Sequence, residues 1–183
     1  MVKPYLSVIV PAYNHERHIL MTLLDIYRHL ESQPYASEIL VVDDHSTDNT
    51  ADMITRCLPL MPNLKLLQNQ SHQGEDFTLK QGMLLAGGDW RVIMPAKGEV
   101  AVIEFNKVIP HAQSGHEVFL SPDNDFQCFS AKAAEKVFSQ RRRYTPARAR
   151  RFGYKVKKVF LKNRPPIGPL ASLKRLWQNL MNH

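Results

Sequence analysis

Two stretches of this chain end in polar side chains whose types suit a nucleotide. Each follows a run of apolar, mostly β-branched residues, at 6–10 and at 39–42. The ring of Tyr13 offers a flat face on which a base can stack. The carboxylate of Asp44 can accept a hydrogen bond from a base or a ribose. The predicted nucleotide-binding residues are Pro11, Tyr13, Asn14, Asp43 and Asp44.

The rest of the chain alternates between short apolar runs and amphipathic stretches, which predicts an α/β fold with a mostly parallel sheet. Strands are predicted at residues 5–10, 38–43, 64–67, 90–94, 117–120 and 154–161. Helices are predicted at residues 16–31, 49–58, 76–87, 131–138 and 146–152, with another near 100–109. Ligands of open parallel sheets bind beyond the carboxyl ends of the strands, so the two polar stretches are expected to meet in one pocket.

The sequences of both polar stretches resemble motifs of the family 2 glycosyltransferases. That family carries a Pro-x-Tyr-Asn strand end, matched by residues 11–14, and a Val-Val-Asp-Asp-x-Ser-x-Asp strand end, matched by residues 41–48. The resemblance implies a single-domain, Rossmann-like fold of the GT-A type, in which Tyr13 cradles the base and Asp44 contacts it. It also implies a nucleotide-sugar donor of the UDP or GDP type.

A third segment narrows the resemblance to the polyprenyl-phosphate and dolichyl-phosphate mannosyl and glucosyl transferases. Residues 72–83 align without gaps to an Asn-x-Gly-Lys-Gly-x-Ala-x-x-x-Gly segment of those enzymes, with Gly74 and Gly82 kept. Glu75 stands where the family has a lysine, and Asp76 stands where it has a glycine. A cation expected near the donor is therefore an anion here.

The family's metal motif is also changed. An Asp-x-Asp pair after the fourth strand holds Mg²⁺ or Mn²⁺ in the family, and the matching positions here are Pro95, Ala96 and Lys97. Hard cations need oxygen ligands, which these side chains lack, so no metal site is predicted although the family uses one. Lys97 can be interpreted as a cation that partly replaces the metal's charge, or as a solvated lysine in a turn.

The resemblance leaves the catalytic residues unassigned. The family's acceptor-binding stretch is missing before residues 125–131, and its acidic residue is absent from residues 144–146. Asp123 and Asp125 are the nearest acids, and both flank Pro122 as turn residues would. A phosphate acceptor is already an anion, so the loss of a general base does not exclude a polyprenyl phosphate.

Positive charge is concentrated at the end of the chain. Residues 131–183 hold 15 Lys or Arg and one acid, whereas the whole chain of 183 residues has a net charge of +7. This asymmetry predicts an anionic partner, with a solvated basic surface as the alternative. Residues 168–181 form an amphipathic pattern that could lie on a membrane or pack on the domain. The predicted anion-binding residues are Arg141, Arg142, Arg143, Arg148 and Arg151.

Several functions remain open from the sequence. One is a glycosyltransferase that moves a sugar from a nucleotide donor to a lipid phosphate or another acceptor. The alternative is a catalytically inactive homologue that binds a nucleotide, an anionic membrane or a protein, as a homo-oligomer or with another chain. Nucleic-acid binding is disfavoured, because the basic third lacks interleaved aromatic residues.

We expect one domain over residues 1–183, with a nucleotide-binding half at 1–95 and a degenerate acceptor half at 96–183. Two distant cysteines, with no Cys-x-x-Cys spacing, suit a reducing compartment. The expected location is therefore cytoplasmic, with peripheral contact to the cytoplasmic membrane face.

Overall fold

A central β-sheet organises the protein. The computed structural model describes residues 3–96, 106–112, 114–121, 126–140 and 146–159. Within these ranges, seven strands join into one sheet. They are β1 (Leu6–Ala12), β2 (Ser37–Asp43), β3 (Leu64–Gln68), β4 (Trp90–Ile93), β5 (Val118–Leu120), β6 (Gln127–Ser130) and β7 (Val156–Lys158).

The strand order is β3-β2-β1-β4-β6-β5-β7. Strands β1 to β4 run parallel to one another, and β1 and β2 stay in register from Leu6 opposite Ser37 to Ala12 opposite Asp43. Their carboxyl ends therefore finish side by side. Strand β6 is antiparallel to both β4 and β5, whereas β7 is parallel to β5. The predicted α/β fold with a mostly parallel sheet is confirmed.

Helices connect the strands and cover the sheet. They are α1 (Ile19–Glu31), α2 (Thr50–Cys57), α3 (Glu75–Leu85), α4 (Ile109–Ala112), α5 (Ala131–Phe138) and α6 (Pro146–Arg151). No helix in the described part of the chain is both long and apolar enough to cross a bilayer.

Successive side chains of the central strands point to opposite faces of the sheet and pack in two cores, one on each side. Val8, Val10 and Val41 belong to the core that also buries Leu23 and Ile26 of α1. Their neighbours Ile9, Leu40 and Val42 belong to the second core, which is covered by α3 and α5. Because both faces are covered, these strands read as continuous apolar runs rather than alternating ones.

The helix predicted near 100–109 falls largely outside the described residues, and α4 begins at Ile109. Strand β6 was not predicted, because we expected residues 120–129 to run almost directly into the helix at 131. Its register opposite β4, from Trp90 paired with Ser130 to Ile93 paired with Gln127, is a tertiary feature. A four-residue segment with two polar ends carries no clear period of its own.

A buried polar cluster ties α3 and β4 to the amino end of the sheet. Glu38 accepts hydrogen bonds from the Ser7 hydroxyl at 2.6 Å, the Gly87 amide at 2.6 Å and the Lys65 ammonium at 2.6 Å. The Gly88 amide in turn donates to the Ser7 hydroxyl oxygen at 2.8 Å. Burial acts to raise the pKa of Glu38, but these donors outweigh it, so the pKa lies below its ordinary value.

Candidate functional site

A cleft of about 470 Å³ opens at the carboxyl ends of β1, β2 and β4. This is the place where parallel sheets bind ligands. The first turn of α3 and the start of β6 complete its wall. The cleft is lined by Pro11, Ala12, Tyr13, His15, Asp44, His72, Glu75, Thr78, Leu79, Ile93, Pro95, Ala96 and Gln127.

The loop after β1 and the loop after β2 are joined by hydrogen bonds at the edge of this cleft. Asn14 adopts a positive φ of 55°, and its side-chain oxygen accepts from the Thr47 amide at 2.8 Å. The Asn14 amide donates to the Ser46 hydroxyl oxygen at 2.9 Å. Asp48, which precedes α2, accepts from the amides of Glu16 at 3.1 Å and Thr50 at 2.9 Å. These bonds hold the end of β1 against the end of β2.

Asp44 is the most heavily bonded side chain of the site, and only 2% of its surface is exposed. Its Oδ1 accepts from the Asn69 side-chain amide at 2.7 Å and from the Gln73 backbone amide at 2.9 Å. Its Oδ2 accepts from the Gly74 amide at 2.7 Å. Burial acts to raise the pKa of Asp44, but these hydrogen bonds and the nearby His72 ring outweigh it, so the pKa is lowered.

Tyr13 and His72 form the aromatic part of the cleft. Their ring centroids lie 4.2 Å apart with 33° between the ring planes. His72 Nδ1 also lies 2.9 Å from Asp44 Oδ2. Tyr13 remains 40% exposed, so part of its ring is still open to a ligand.

The third segment singled out in the sequence forms the start of α3. Gly74 precedes the helix with a φ of 90°, which favours glycine, and its own amide donates to Asp44. Gly82 packs so closely on Ile9 that a Cβ would overlap its side chain. Glu75 places a carboxylate in the cleft lining. The two kept glycines therefore shape the site, whereas Glu75 adds a second acidic residue to the lining beside Asp44.

The residues at the place of the family's metal motif do not fit a divalent cation. Pro95 and Ala96 line the cleft and carry no oxygen ligand in their side chains. Among the residues that the structure describes, no group of three His, Cys, Asp or Glu side chains is arranged to hold a metal. Lys97, the third predicted position, lies outside the described ranges.

The other predicted site residues are distributed as follows. Asn14 and Asp43 are not among the cleft-lining residues, because the first bonds to the β2–α2 loop and the second accepts from the Ser46 amide at 3.3 Å. Arg151 is exposed at the end of α6, and Arg148 lies within that helix. Arg141, Arg142 and Arg143, together with residues 168–181, lie outside the described ranges.

The sequence interpretation missed the contributions of His15, His72 and Gln127 to the cleft. His72 was noted only as the first residue of an aligned segment. Nothing in its local sequence shows that it folds back on Tyr13 and Asp44, which are 59 and 28 positions away in the chain.

Residues 7–164 match the sequence profile described as Glycosyl transferase family 2. The chain belongs to this family. The match includes strands β2 to β7, β1 from Ser7 onwards and the whole of the cleft lining, so the predicted resemblance is confirmed.

Several similar proteins carry names that refer to a lipid phosphate. A dolichyl-phosphate beta-glucosyltransferase of Dictyostelium discoideum is 32% identical over 111 residues, which are 57% of this chain and 34% of that protein. An undecaprenyl-phosphate 4-deoxy-4-formamido-L-arabinose transferase of Serratia proteamaculans is 31% identical over 118 residues, covering 61% and 35% of the two chains. The chain spans about a third of the length of these curated relatives.

Solved structures share the fold. A mannosyltransferase from Pyrobaculum calidifontis, solved with GDP-Man and Mn²⁺, superposes with a TM-score of 0.70 at 20% identity over 98% of this chain and 61% of its own. Glucosyl-3-phosphoglycerate synthase of Mycobacterium tuberculosis gives a TM-score of 0.63 at 15% identity, over 97% of this chain and 77% of its own. At these identities the likeness concerns the fold alone.

Proposed function

We propose that this protein binds a nucleotide-sugar of the UDP or GDP type in the cleft and transfers its sugar to a polyprenyl phosphate or a similar anionic acceptor. The observation that carries the proposal is the placement of Tyr13 and Asp44 together in one cleft at the strand ends. Pro11 and Ala12 contribute apolar side chains to the same lining. Membership of the family and the lipid-phosphate relatives support the choice of reaction.

The proposed reaction is a displacement at the anomeric carbon of the sugar. An acceptor phosphate oxygen forms the new bond to that carbon. The bond from the carbon to the nucleoside diphosphate breaks, and the diphosphate leaves with the electron pair. Because the acceptor oxygen already carries negative charge, no protein group has to remove a proton from it. No step is assigned to a metal, since Pro95 and Ala96 provide no ligands for one.

Exposed basic residues support an anionic acceptor or membrane surface. Lys132 and Lys136 are exposed on α5, and Arg150 and Arg151 are exposed at the end of α6. The Lys136 ammonium lies 5.7 Å from the centroid of the Phe152 ring, and Phe152 directly follows α6. Basic residues near an anionic leaflet each contribute about 1 kcal/mol of attraction.

The first experiment is calorimetric titration of the protein with UDP, GDP, UDP-glucose and GDP-mannose, each with and without Mn²⁺. Tyr13→Ala is the site variant, and Phe77→Ala is its matched control, because these aromatic side chains are 40% and 42% exposed and Phe77 is not among the cleft-lining residues. We expect Tyr13→Ala to weaken binding by about tenfold. Equal affinities for the two variants would contradict the assigned base subsite.

Transfer is then measured with the donor that binds and with vesicles containing polyprenyl phosphate. The two readouts are release of the free nucleoside diphosphate and appearance of the sugar in the lipid fraction. Their stoichiometric appearance supports lipid-phosphate transfer. Release of the diphosphate without a lipid product indicates another acceptor or hydrolysis.

A second candidate is a homologue that binds a nucleotide without turnover. The observations that favour it are the absence of carboxylates at Pro95 and Ala96 and the presence of Glu75 in the cleft. It predicts nucleotide binding that Tyr13→Ala weakens, with no sugar transfer to any acceptor. Binding and transfer measured on the same preparation therefore separate the two candidates.

A further inference from the structure

The carboxylate of Asp44 has no acceptor position left for a ligand. A carboxylate offers about four lone-pair sites. Asn69, Gln73 and Gly74 donate to three of them, at 2.7, 2.9 and 2.7 Å. His72 Nδ1 lies 2.9 Å from Oδ2 and takes the fourth. A base that is to donate to Asp44 must therefore displace one of these donors.

His72 makes both contacts that a nucleobase would make. Its flat ring lies against Tyr13, with 4.2 Å between the ring centroids. Its Nδ1 lies between two acceptors, Asp44 Oδ2 at 2.9 Å and the Asp44 carbonyl oxygen at 3.4 Å, so this nitrogen carries the hydrogen. The imidazole thus stacks on Tyr13 and donates to Asp44 at the same time.

Of the four donors, His72 is the one that can leave without disturbing the fold. Gln73 and Gly74 donate through backbone amides, which are fixed by the entry into α3. Asn69 is 8% exposed, and its backbone amide bonds to the Asp43 carbonyl oxygen at 2.9 Å. The His72 side chain is 52% exposed, so it can rotate towards solvent.

We propose that the His72 side chain lies in the nucleobase subsite and must swing out before a nucleotide binds. This proposal rests on the proposed function, because it takes Tyr13 and Asp44 as the base subsite. A base with a ring N–H, such as uracil or guanine, restores the hydrogen bond that Asp44 loses. His72 therefore lowers nucleotide affinity and favours bases that can replace its donation.

The test compares His72→Ala with the wild type by calorimetry, using UDP and GDP as probes. Removing a competing side chain raises the fraction of protein whose subsite is open, so we expect binding to tighten by about threefold to tenfold. His18→Ala is the control, because His18 is exposed and is not among the cleft-lining residues. Its affinity for both nucleotides should equal that of the wild type.

A second readout uses the wild-type protein. The ring current of Tyr13 shifts the imidazole proton resonances of His72 in nuclear magnetic resonance spectra, and His72→Ala assigns these signals. We expect UDP or GDP to move them towards the positions of a solvent-exposed histidine. Signals that stay in place while the nucleotide binds would overturn the proposal.

The calorimetric outcomes separate the two proposals. Tighter binding by His72→Ala, or binding seen only in that variant, supports both. Equal or weaker binding by His72→Ala, with a wild type that does bind, keeps the proposed function and overturns the role of His72. No binding by either protein overturns the nucleotide-binding step and the His72 proposal with it.

Discussion

Asp44 Oδ2 accepts the Gly74 amide at 2.7 Å, and this bond joins the end of β2 to the entry of α3 across 30 positions of sequence. The same carboxylate accepts the amide of Gln73. Asp44 therefore builds the wall of the cleft as well as facing into it. A change at Asp44 will affect folding and ligand binding together, and this is why Tyr13 is the better probe of the base subsite.

We expect Asp44→Asn to destabilise the protein by about 1–3 kcal/mol, because an amide cannot accept all four donors and its own NH₂ group faces some of them. Urea unfolding followed by circular dichroism measures the loss. Asp89→Asn is the control, since Asp89 is 51% exposed and pairs with Lys3 at the surface. Surface pairs of this kind contribute about 0–1 kcal/mol. Equal losses for the two variants would contradict a structural role for Asp44.

Stability is expected to fall in acid as the Asp44 and Glu38 carboxylates take up protons. Both pKa values are lower in the folded protein than their ordinary values of 3.8 and 4.5. For each carboxylate, the unfolded chain therefore binds more protons than the folded protein at pH values between the folded pKa and the ordinary pKa. The stabilisation is complete above the ordinary pKa and is lost as the pH falls through the folded one.

Urea midpoints measured between about pH 6 and about pH 3 test this expectation. Glu38→Gln should make the decline with falling pH shallower, because one of the two carboxylates is gone. Glu31→Gln, which changes an exposed residue in the last turn of α1, is the control for the loss of a carboxylate as such. A slope that is the same in Glu38→Gln and in the wild type would refute the assignment.

Two adjacent glycines should respond differently to alanine. A Cβ on Gly88 would lie 2.5 Å from the Ser7 hydroxyl oxygen and 2.7 Å from the Ser7 amide nitrogen. A Cβ on Gly87 would lie 3.5 Å from Glu38 Oε1, which is an ordinary contact distance. Gly88→Ala should therefore cost about 1–3 kcal/mol, as overpacking does, and Gly87→Ala much less. Thermal melts of the pair give the comparison, and a reversed order would show that the turn after α3 is packed otherwise.

Reversing the charge of Glu75 should strengthen the binding of a nucleoside diphosphate. Glu75 is anionic and lines the cleft, where it opposes a diphosphate. We expect Glu75→Lys to tighten UDP and GDP binding by about threefold to tenfold at low salt, with the gain shrinking as salt screens it. Asp76→Lys makes the same charge change at the next position, outside the cleft lining, and should gain less. Equal gains would indicate a general effect of net charge.

Attraction to anionic vesicles should depend on the exposed lysines of α5. The double variant Lys132→Glu, Lys136→Glu is expected to bind phosphatidylserine vesicles at least about tenfold more weakly. The same charge change at Arg17 and Arg28, exposed before and within α1, is the control. Co-sedimentation measures both variants, and an equal loss in the control would contradict a localised binding face.

Except for β6, the sequence by itself determined the alternation of strands and helices, and through it the α/β class and the edge of the sheet where ligands bind. Buried parallel strands are continuous apolar runs, so the ends of β1 and β2 could be predicted to within one or two residues. The polar residues that end these runs, Tyr13 and Asp44, were found for the same reason. Local composition is sufficient for such features because they repeat within a few residues.

Only the tertiary structure decided how those residues are used. Asn14 and Asp43 are next to Tyr13 and Asp44 in the chain. Their side chains nevertheless form hydrogen bonds with the loop between β2 and α2. His72 reaches Tyr13 and Asp44 because the entry of α3 folds against the end of β2. Strand β6 is defined by its antiparallel pairing with β4 on one side and β5 on the other. Contacts between distant segments depend on how whole elements pack, and no local pattern records that packing.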